Sequence, residues 1–279
     1  MKLGLLIDMD NGDIYEKIFE VAKLGFPSCQ IACWNMSQFT DENAEKIKKA
    51  AKEFSVTVTA LWCGWEGPVS WNLTDGYHTL GLIPILYRKT RIENLKRGSD
   101  FAKKIGVTDI ATHMGFLPEN QMTDEYAEVV RAIREVAEYF RDNGQYLLFE
   151  TGQETPITLK RTIQKVGTGN LGINLDPANL LMYGKGNPCD AVDVFGEYVR
   201  NVHGKDGEYP TDPDCLGTEK PLGDGRVNFP LLISRLKSKG YNGPVTIEYE
   251  RASDNRNDDL MKAKKLLEDI LLKENVLEK

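Results

Sequence analysis

Hydrophobic and polar positions alternate along this chain so that an apolar, strand-like run is followed by a helical pattern eight times over. In the helical stretches, apolar residues recur three and four positions apart, which places them on one buried face. The stretch between Thr123, a good helix cap, and Gly144, a good helix stop, shows this most strongly. The predicted strands are Lys2–Ile7, Cys29–Trp34, Val56–Trp62, Asp109–His113, Tyr146–Glu150, Leu171–Asp176, Val199–His203 and Val245–Tyr249.

Glycines mark where the predicted helices end. The order helix, glycine, short turn, strand recurs at Gly25, Gly106, Gly144 and Gly240. Such alternation implies parallel strands joined by right-handed crossovers, and eight units within 279 residues match a (β/α)8 TIM barrel. We expect residues 1–279 to form one such domain. A doubly wound open sheet is the alternative, but no Gly-x-Gly-x-x-Gly follows the first strand, which disfavours a dinucleotide-binding version.

One long irregular segment, from Gly64 to about Tyr87, interrupts the alternation. Loops of this length are usually functional or disordered. Its aromatic residues, among them Trp65 and Trp71, argue against disorder. Aromatic side chains in a loop at a barrel mouth often cover one face of a sugar, so we predict that Trp65 contacts substrate; burial in the core is the alternative.

Composition disfavours several classes of protein. The chain is 41% hydrophobic and 28% charged, as in ordinary globular proteins, and its net charge of −7 disfavours a nucleic-acid or anionic-membrane partner. The five cysteines lack zinc-finger spacing and are best explained as small buried side chains. The apolar run at the start is too short for a signal peptide, and no segment could span a bilayer, so we expect a cytoplasmic protein.

Four consecutive predicted strands end in residues that bind metals: Glu150, Asp176, His203 and Glu248. In a barrel these strand ends converge, however far apart they lie in sequence. Each acid alone is also explained as a helix cap or an ion-pair partner, but four in register favour a shared site. Burying carboxylates is costly unless a cation is present. Three carboxylates and one imidazole suit Mn²⁺ or Mg²⁺, with Co²⁺ or Zn²⁺ as alternatives.

Two further polar residues lie close to these strand ends. His113 ends the fourth predicted strand, and Lys205 follows His203 by two positions. We predict that both contact substrate. The alternatives are a hydrogen-bonded core histidine and a structural pair between Lys205 and Asp206.

At these residues the chain resembles the sugar phosphate isomerase/epimerase family, the xylose isomerase-like barrels. The N-terminal half agrees at residues 24–26 and 112–116. The main matching segments are GINLDPANLL at 172–181, VHGKD at 202–206, PLGDGRVNF at 221–229 and GYNGPVTIEYE at 240–250.

The resemblance implies a divalent metal held by Glu150, Asp176, His203 and Glu248. It also implies that the two glutamates are catalytic: one removes the proton beside a substrate carbonyl, and the other returns a proton on the opposite face. The metal stabilises the enediolate that forms between these steps. The implied activity is therefore that of a metal-dependent isomerase or epimerase of a sugar or keto-sugar derivative, with Mn²⁺ as the expected ion.

Two residues depart from the family pattern. Asn179 stands where many ketose epimerases have a substrate-binding histidine, and Gln30, at the end of the second predicted strand, stands where relatives often have glutamate. Asparagine can bind a hydroxyl but does not titrate, so we predict that Asn179 contacts substrate without moving a proton.

These departures keep other functions open. A lyase or dehydratase acting on a keto-sugar or glycoside would use the same proton abstraction. A non-catalytic sugar-binding protein is a further alternative, as is an apurinic endonuclease, although the chain has only three histidines for a multi-zinc site. The expected partner is a small carbohydrate, and a homo-oligomer is left open.

Overall fold

A computed structural model of this protein describes residues 1–251 and 255–278. Eight parallel strands close into a barrel in which each strand pairs with its neighbour along the chain and the last returns to the first. This confirms the predicted (β/α)8 fold. The barrel strands are β1 (Lys2–Asp8), β2 (Ser28–Cys33), β3 (Thr57–Cys63), β4 (Asp109–Thr112), β5 (Tyr146–Glu150), β6 (Leu171–Leu175), β7 (Val199–Gly204) and β10 (Pro244–Ile247).

Helices surround the barrel and bury their apolar faces against it. Their ends follow the sequence signals: the Thr123 hydroxyl accepts a hydrogen bond from the Tyr126 N–H at 3.2 Å and starts the fifth helix. The helices are α1 (Ile14–Lys23), α2 (Asp41–Glu53), α3 (Gly76–Thr79), α4 (Ile85–Lys104), α5 (Asp124–Asp142), α6 (Pro156–Val166), α7 (Pro177–Met182), α8 (Pro188–Phe195), α9 (Phe229–Ser238) and α10 (Arg256–Lys273). Across the described ranges, none of them has both the length and the apolar character needed to cross a membrane.

Relative to the predicted pattern, the structure lengthens one helix and adds a short one. Helix α4 begins at Ile85, before the end of the segment predicted to be irregular to about Tyr87, because Pro84 can occupy its N-cap position. Helix α7 directly follows β6, and its six residues are too few to show a helical period in the sequence.

The long loop after β3 is fastened by the buried Arg91 of α4. Its guanidinium donates hydrogen bonds to the carbonyl oxygens of Glu66 at 3.2 Å, Pro68 at 3.0 Å and Gly81 at 2.7 Å. The same group lies 5.2 Å from the centroid of the Trp65 ring. One side chain therefore ties together both ends of this loop.

A small antiparallel hairpin, β8 (Asp206–Gly207) with β9 (Glu219–Lys220), follows the seventh barrel strand. Beside it, the buried Asp206 carboxylate accepts hydrogen bonds from four backbone N–H groups, at distances of 2.8 to 3.1 Å. The donors are Gly207, Gly223, Gly225 and Val227. Asp206 thus organises the loop before α9 and does not form the structural pair with Lys205 that the sequence left open.

We predict that Asp206→Ala lowers the free energy of unfolding by at least about 3 kcal/mol, because it leaves several backbone donors without their charged acceptor. Urea denaturation followed by circular dichroism would measure the change. Asp224→Ala, an exposed acid in the same loop, is the control and should change stability by less than about 0.5 kcal/mol. Equal losses for the two variants would contradict this role of Asp206.

Candidate metal centre and substrate cavity

The four predicted ligands meet at the carboxyl end of the barrel. Glu150 is the last residue of β5, Asp176 follows β6, His203 lies in β7 and Glu248 follows β10. One potential ligand atom from each lies within 4.8 Å of the others, and all four residues are buried. This arrangement could hold a divalent metal ion.

The distances place His203 at the middle of the cluster. Its Nδ1 lies 2.7 Å from Glu248 Oε2, 3.4 Å from Glu150 Oε1 and 3.7 Å from Asp176 Oδ2. Among the described residues, no group offers proper hydrogen-bond geometry to His203 Nδ1, Asp176 Oδ2 or Glu248 Oε2. Buried polar atoms seldom lack a partner, and these three converge on one position. The residues therefore fit a cation bound between them.

Asp176 serves two purposes, one with each oxygen. Its Oδ1 accepts a hydrogen bond from the Asn179 N–H at 2.9 Å and caps α7, while Oδ2 faces His203. A helix cap was the alternative to a metal ligand at this position. Asp176 can be both, because it uses a different oxygen for each. The short helix fixes the carboxylate in place.

The other nitrogen of His203 is held inside the barrel by Gln30. His203 Nε2 lies 2.6 Å from Gln30 Oε1, and the Asn174 amide lies 3.0 Å from the same nitrogen. Donation from Nε2–H to Gln30 leaves the Nδ1 lone pair free for a metal. Gln30 is the third residue of β2 and points inward, so it does not stand at the strand end that the sequence suggested. It supports the imidazole from behind.

Charge dominates the energetics of the cluster. Burial alone would raise the pKa of Glu150, Asp176 and Glu248, but nearby positive charge holds each pKa below its ordinary value. For Glu150 the source is the neighbouring imidazoles, and for Asp176 and Glu248 it is Lys205 and His203. Burial would lower the pKa of His203, but the surrounding carboxylates raise it well above its usual range. A cation bound at Nδ1 would therefore displace a proton.

Lys205 is the permanent positive charge beside the cluster. Its buried ammonium lies 2.5 Å from Glu250 Oε2, 3.4 Å from Glu248 Oε2 and 3.7 Å from Asp176 Oδ2. The three cluster carboxylates and Glu250 share this one ammonium, so with a neutral imidazole the site keeps a net negative charge. A bound divalent cation would offset this charge.

A cavity of about 490 Å³ opens above the cluster. Trp34 and Trp62, with ring centroids 4.9 Å apart, and Trp71, 5.0 Å from the His113 ring, form its aromatic wall. The Trp62 indole N–H also donates a hydrogen bond to Glu150 Oε2.

Of the four residues predicted to contact substrate, three line the cavity and one does not. His113 Nε2 and Asn179 Nδ2 lie 3.6 Å and 3.4 Å from Glu150 Oε1, and both residues line the cavity together with Lys205. Trp65 does not line it: only 3% exposed, it packs behind Trp34, where Arg91 holds it.

Several cavity residues carried no signal that singled them out in the sequence, among them Tyr183 and Trp34. Tyr183 follows α7, is buried and lines the cavity. Trp34 ends the second predicted strand and carried no separate signal, although its position just beyond β2, at the carboxyl edge of the barrel, could have identified it.

Fold and site together define a (β/α)8 barrel protein with a buried acidic cluster at the carboxyl end of its strands. The sequence profile of the xylose isomerase-like TIM barrel family matches residues 18–270, so the chain belongs to this family. A crystal structure of a xylose isomerase domain protein from Planctomyces limnophilus is 32% identical, covers 98% of each chain and superposes with a TM-score of 0.91.

More distant structures share the fold. A D-tagatose 3-epimerase-like protein is 20% identical, with a TM-score of 0.73 over 99% of this chain and 98% of the other. The probable 3-DHS dehydratase AsbF of Bacillus anthracis is 18% identical, with a TM-score of 0.71 over 96% of this chain and 99% of the other.

We predict that Gln30→Leu weakens Mn²⁺ binding by about 10- to 100-fold, because the imidazole of His203 loses the acceptor that orients it. Isothermal titration calorimetry on chelator-treated protein would measure the affinity. Gln30→Glu keeps an acceptor at the same place and should retain binding. If Gln30→Leu binds Mn²⁺ as tightly as the wild type, Gln30 does not support a metal ligand.

Proposed function

We propose that this protein is a divalent-metal-dependent isomerase or epimerase of a sugar or keto-sugar derivative. The observation that carries the proposal is the division of the cluster into two pairs. Glu150 and Glu248 line the substrate cavity, whereas Asp176 and His203 lie behind them and do not. The two carboxylates that reach the substrate can act as base and acid while they also bind the metal, whereas Asp176 and His203 would only bind the metal.

The chain's own residues would carry the proton transfers. Glu150 is ionised, and the Trp62 N–H fixes one of its oxygens, which suits it to accept a proton from the substrate. Glu248 comes from β10, separated from β5 by two strands of the barrel, and would exchange a proton at another face of the same carbon. Lys205, His113 and Asn179 would bind hydroxyl groups, and the tryptophan wall would exclude water.

The expected cofactor is Mn²⁺, with Mg²⁺, Co²⁺ or Zn²⁺ as alternatives. Glu150, Asp176, His203 and Glu248 would hold it. When bound, it would supply a positive charge that stabilises negative charge developing on substrate oxygen atoms. The hard, oxygen-rich ligand set and the net negative charge of the cluster support a divalent ion.

We predict that Glu150→Gln and Glu248→Gln each lower proton exchange by at least about 100-fold, because each removes a group that moves a proton. The measurement is deuterium incorporation from D₂O into a panel of keto-sugars, at saturating Mn²⁺. Chelation of the wild type should abolish incorporation, and Mn²⁺ should restore it. Full activity of either variant would rule out the two-carboxylate mechanism.

Glu250→Gln is the matched control. Its carboxylate lines the same cavity and contacts Lys205 but lies outside the metal cluster, so proton exchange should fall by less than about 10-fold. Product analysis of the same reactions separates the alternatives. An epimer or isomer supports the proposal, whereas an unsaturated or cleaved sugar would identify a lyase or dehydratase that uses the same proton abstraction.

A further inference from the structure

Three carboxylates line the substrate cavity, and that of Glu250 is the most open to solvent. Glu250 follows the end of β10 by three positions and lines the cavity together with Glu150 and Glu248. The side chains of Glu150 and Glu248 are 2% and 8% exposed, against 64% for Glu250. A molecule that enters the cavity from solvent can therefore reach this carboxylate directly.

Glu250 is held at two points. Its backbone N–H donates a hydrogen bond to Glu219 Oε1 at 3.3 Å, and its Oε2 lies 2.5 Å from the Lys205 ammonium. The Lys205 side chain is buried, and Glu248 and Asp176 lie 3.4 Å and 3.7 Å from the same ammonium. The positive charge of Lys205 is therefore already paired, while the carboxylate of Glu250 stays open on its outer side.

The charge of the site stays negative even with a metal ion bound. Among the described residues that line the cavity, Lys205 is the only lysine or arginine. With both imidazoles neutral, four carboxylates would face three positive charges, two on a divalent ion and one on Lys205. These carboxylates belong to Glu150, Asp176, Glu248 and Glu250. Without Glu250 the same site would be neutral.

This excess of negative charge selects between sugars and their phosphate esters. A phosphate ester carries close to two negative charges at neutral pH, and an open carboxylate at the wall of a small cavity repels it. The ester would also find no unpaired ammonium, because Glu250 occupies Lys205. A free sugar meets no such repulsion, and its hydroxyl groups can donate hydrogen bonds to carboxylate oxygens.

We propose that Glu250 is a specificity-determining residue that restricts this cavity to uncharged sugars. Its carboxylate pairs with Lys205 and excludes sugars that carry a phosphate group. The proposal rests on the proposed function for taking the ligand to be a sugar. Its central claim is that one open carboxylate keeps anions out, and this claim concerns binding, so its test needs no turnover.

Intrinsic fluorescence can report binding, because all four tryptophans of the chain lie at the cavity wall or directly behind it. Mg²⁺-loaded protein would be titrated with D-fructose and D-ribulose, with D-fructose 6-phosphate and D-ribulose 5-phosphate, and with inorganic phosphate. In the wild type, a ketose that binds should bind at least about tenfold more tightly than its ester, and inorganic phosphate should give no response. An ester that binds as tightly as its parent sugar, or a response to inorganic phosphate, would overturn the proposal.

Two substitutions separate the charge of Glu250 from its cover of Lys205. Glu250→Gln removes the charge, and Glu250→Ala also uncovers the ammonium. We expect affinity for the esters and for inorganic phosphate to rise in both, by at least about tenfold in Glu250→Ala. If neither variant gains affinity for any anion, Glu250 does not control charge specificity. The phosphate titration decides this even if no ketose binds, so failure of the proposed sugar chemistry remains distinguishable.

Glu208→Gln is the matched control. It makes the same change in net charge and releases the Lys220 ammonium, which lies 3.0 Å from Glu208 Oε2, but neither residue lines the cavity. Its affinities should stay within about twofold of those of the wild type, because both groups lie at the surface. An equal gain in this variant would mean that net charge, rather than the position of Glu250, governs anion binding, and would overturn the proposal. Circular dichroism would check that each variant is folded.

Discussion

The structure depends on the electrostatics of three carboxylates buried within a few ångströms of one another. Glu150, Asp176 and Glu248 share one imidazole and one ammonium, and water reaches little of this cluster. Such a concentration of like charge is tolerated only with cations among the carboxylates and rigid supports around them. His203 and Lys205 are the positively charged groups. The strands of the barrel hold the carboxylates, Gln30 and Asn174 hold the imidazole, and the folded loop around Asp206 adjoins Lys205.

Much of this could be predicted from the sequence, because the pattern is periodic and the metal-binding residues occur at strand ends. The eight strands and the convergence of Glu150, Asp176, His203 and Glu248 follow from that regularity. The contacts that complete the site leave no periodic pattern in the sequence. Nothing in the sequence pairs Gln30 with His203 or Trp62 with Glu150, since these contacts cross the barrel between residues far apart in the chain. Trp65 was predicted to contact substrate, but it is buried against Trp34 and Arg91 and does not line the cavity.

The anchor at Arg91 has a consequence for how this protein can diverge. Among the described residues, its guanidinium hydrogen-bonds only main-chain oxygens of the long loop, and these lie towards the two ends of the segment. The side chains between them, including Val69 and Trp71 at the cavity, take no part in those bonds. Substitution of these side chains leaves the three hydrogen bonds from α4 in place. The mouth of the barrel can therefore change its side chains without losing this attachment.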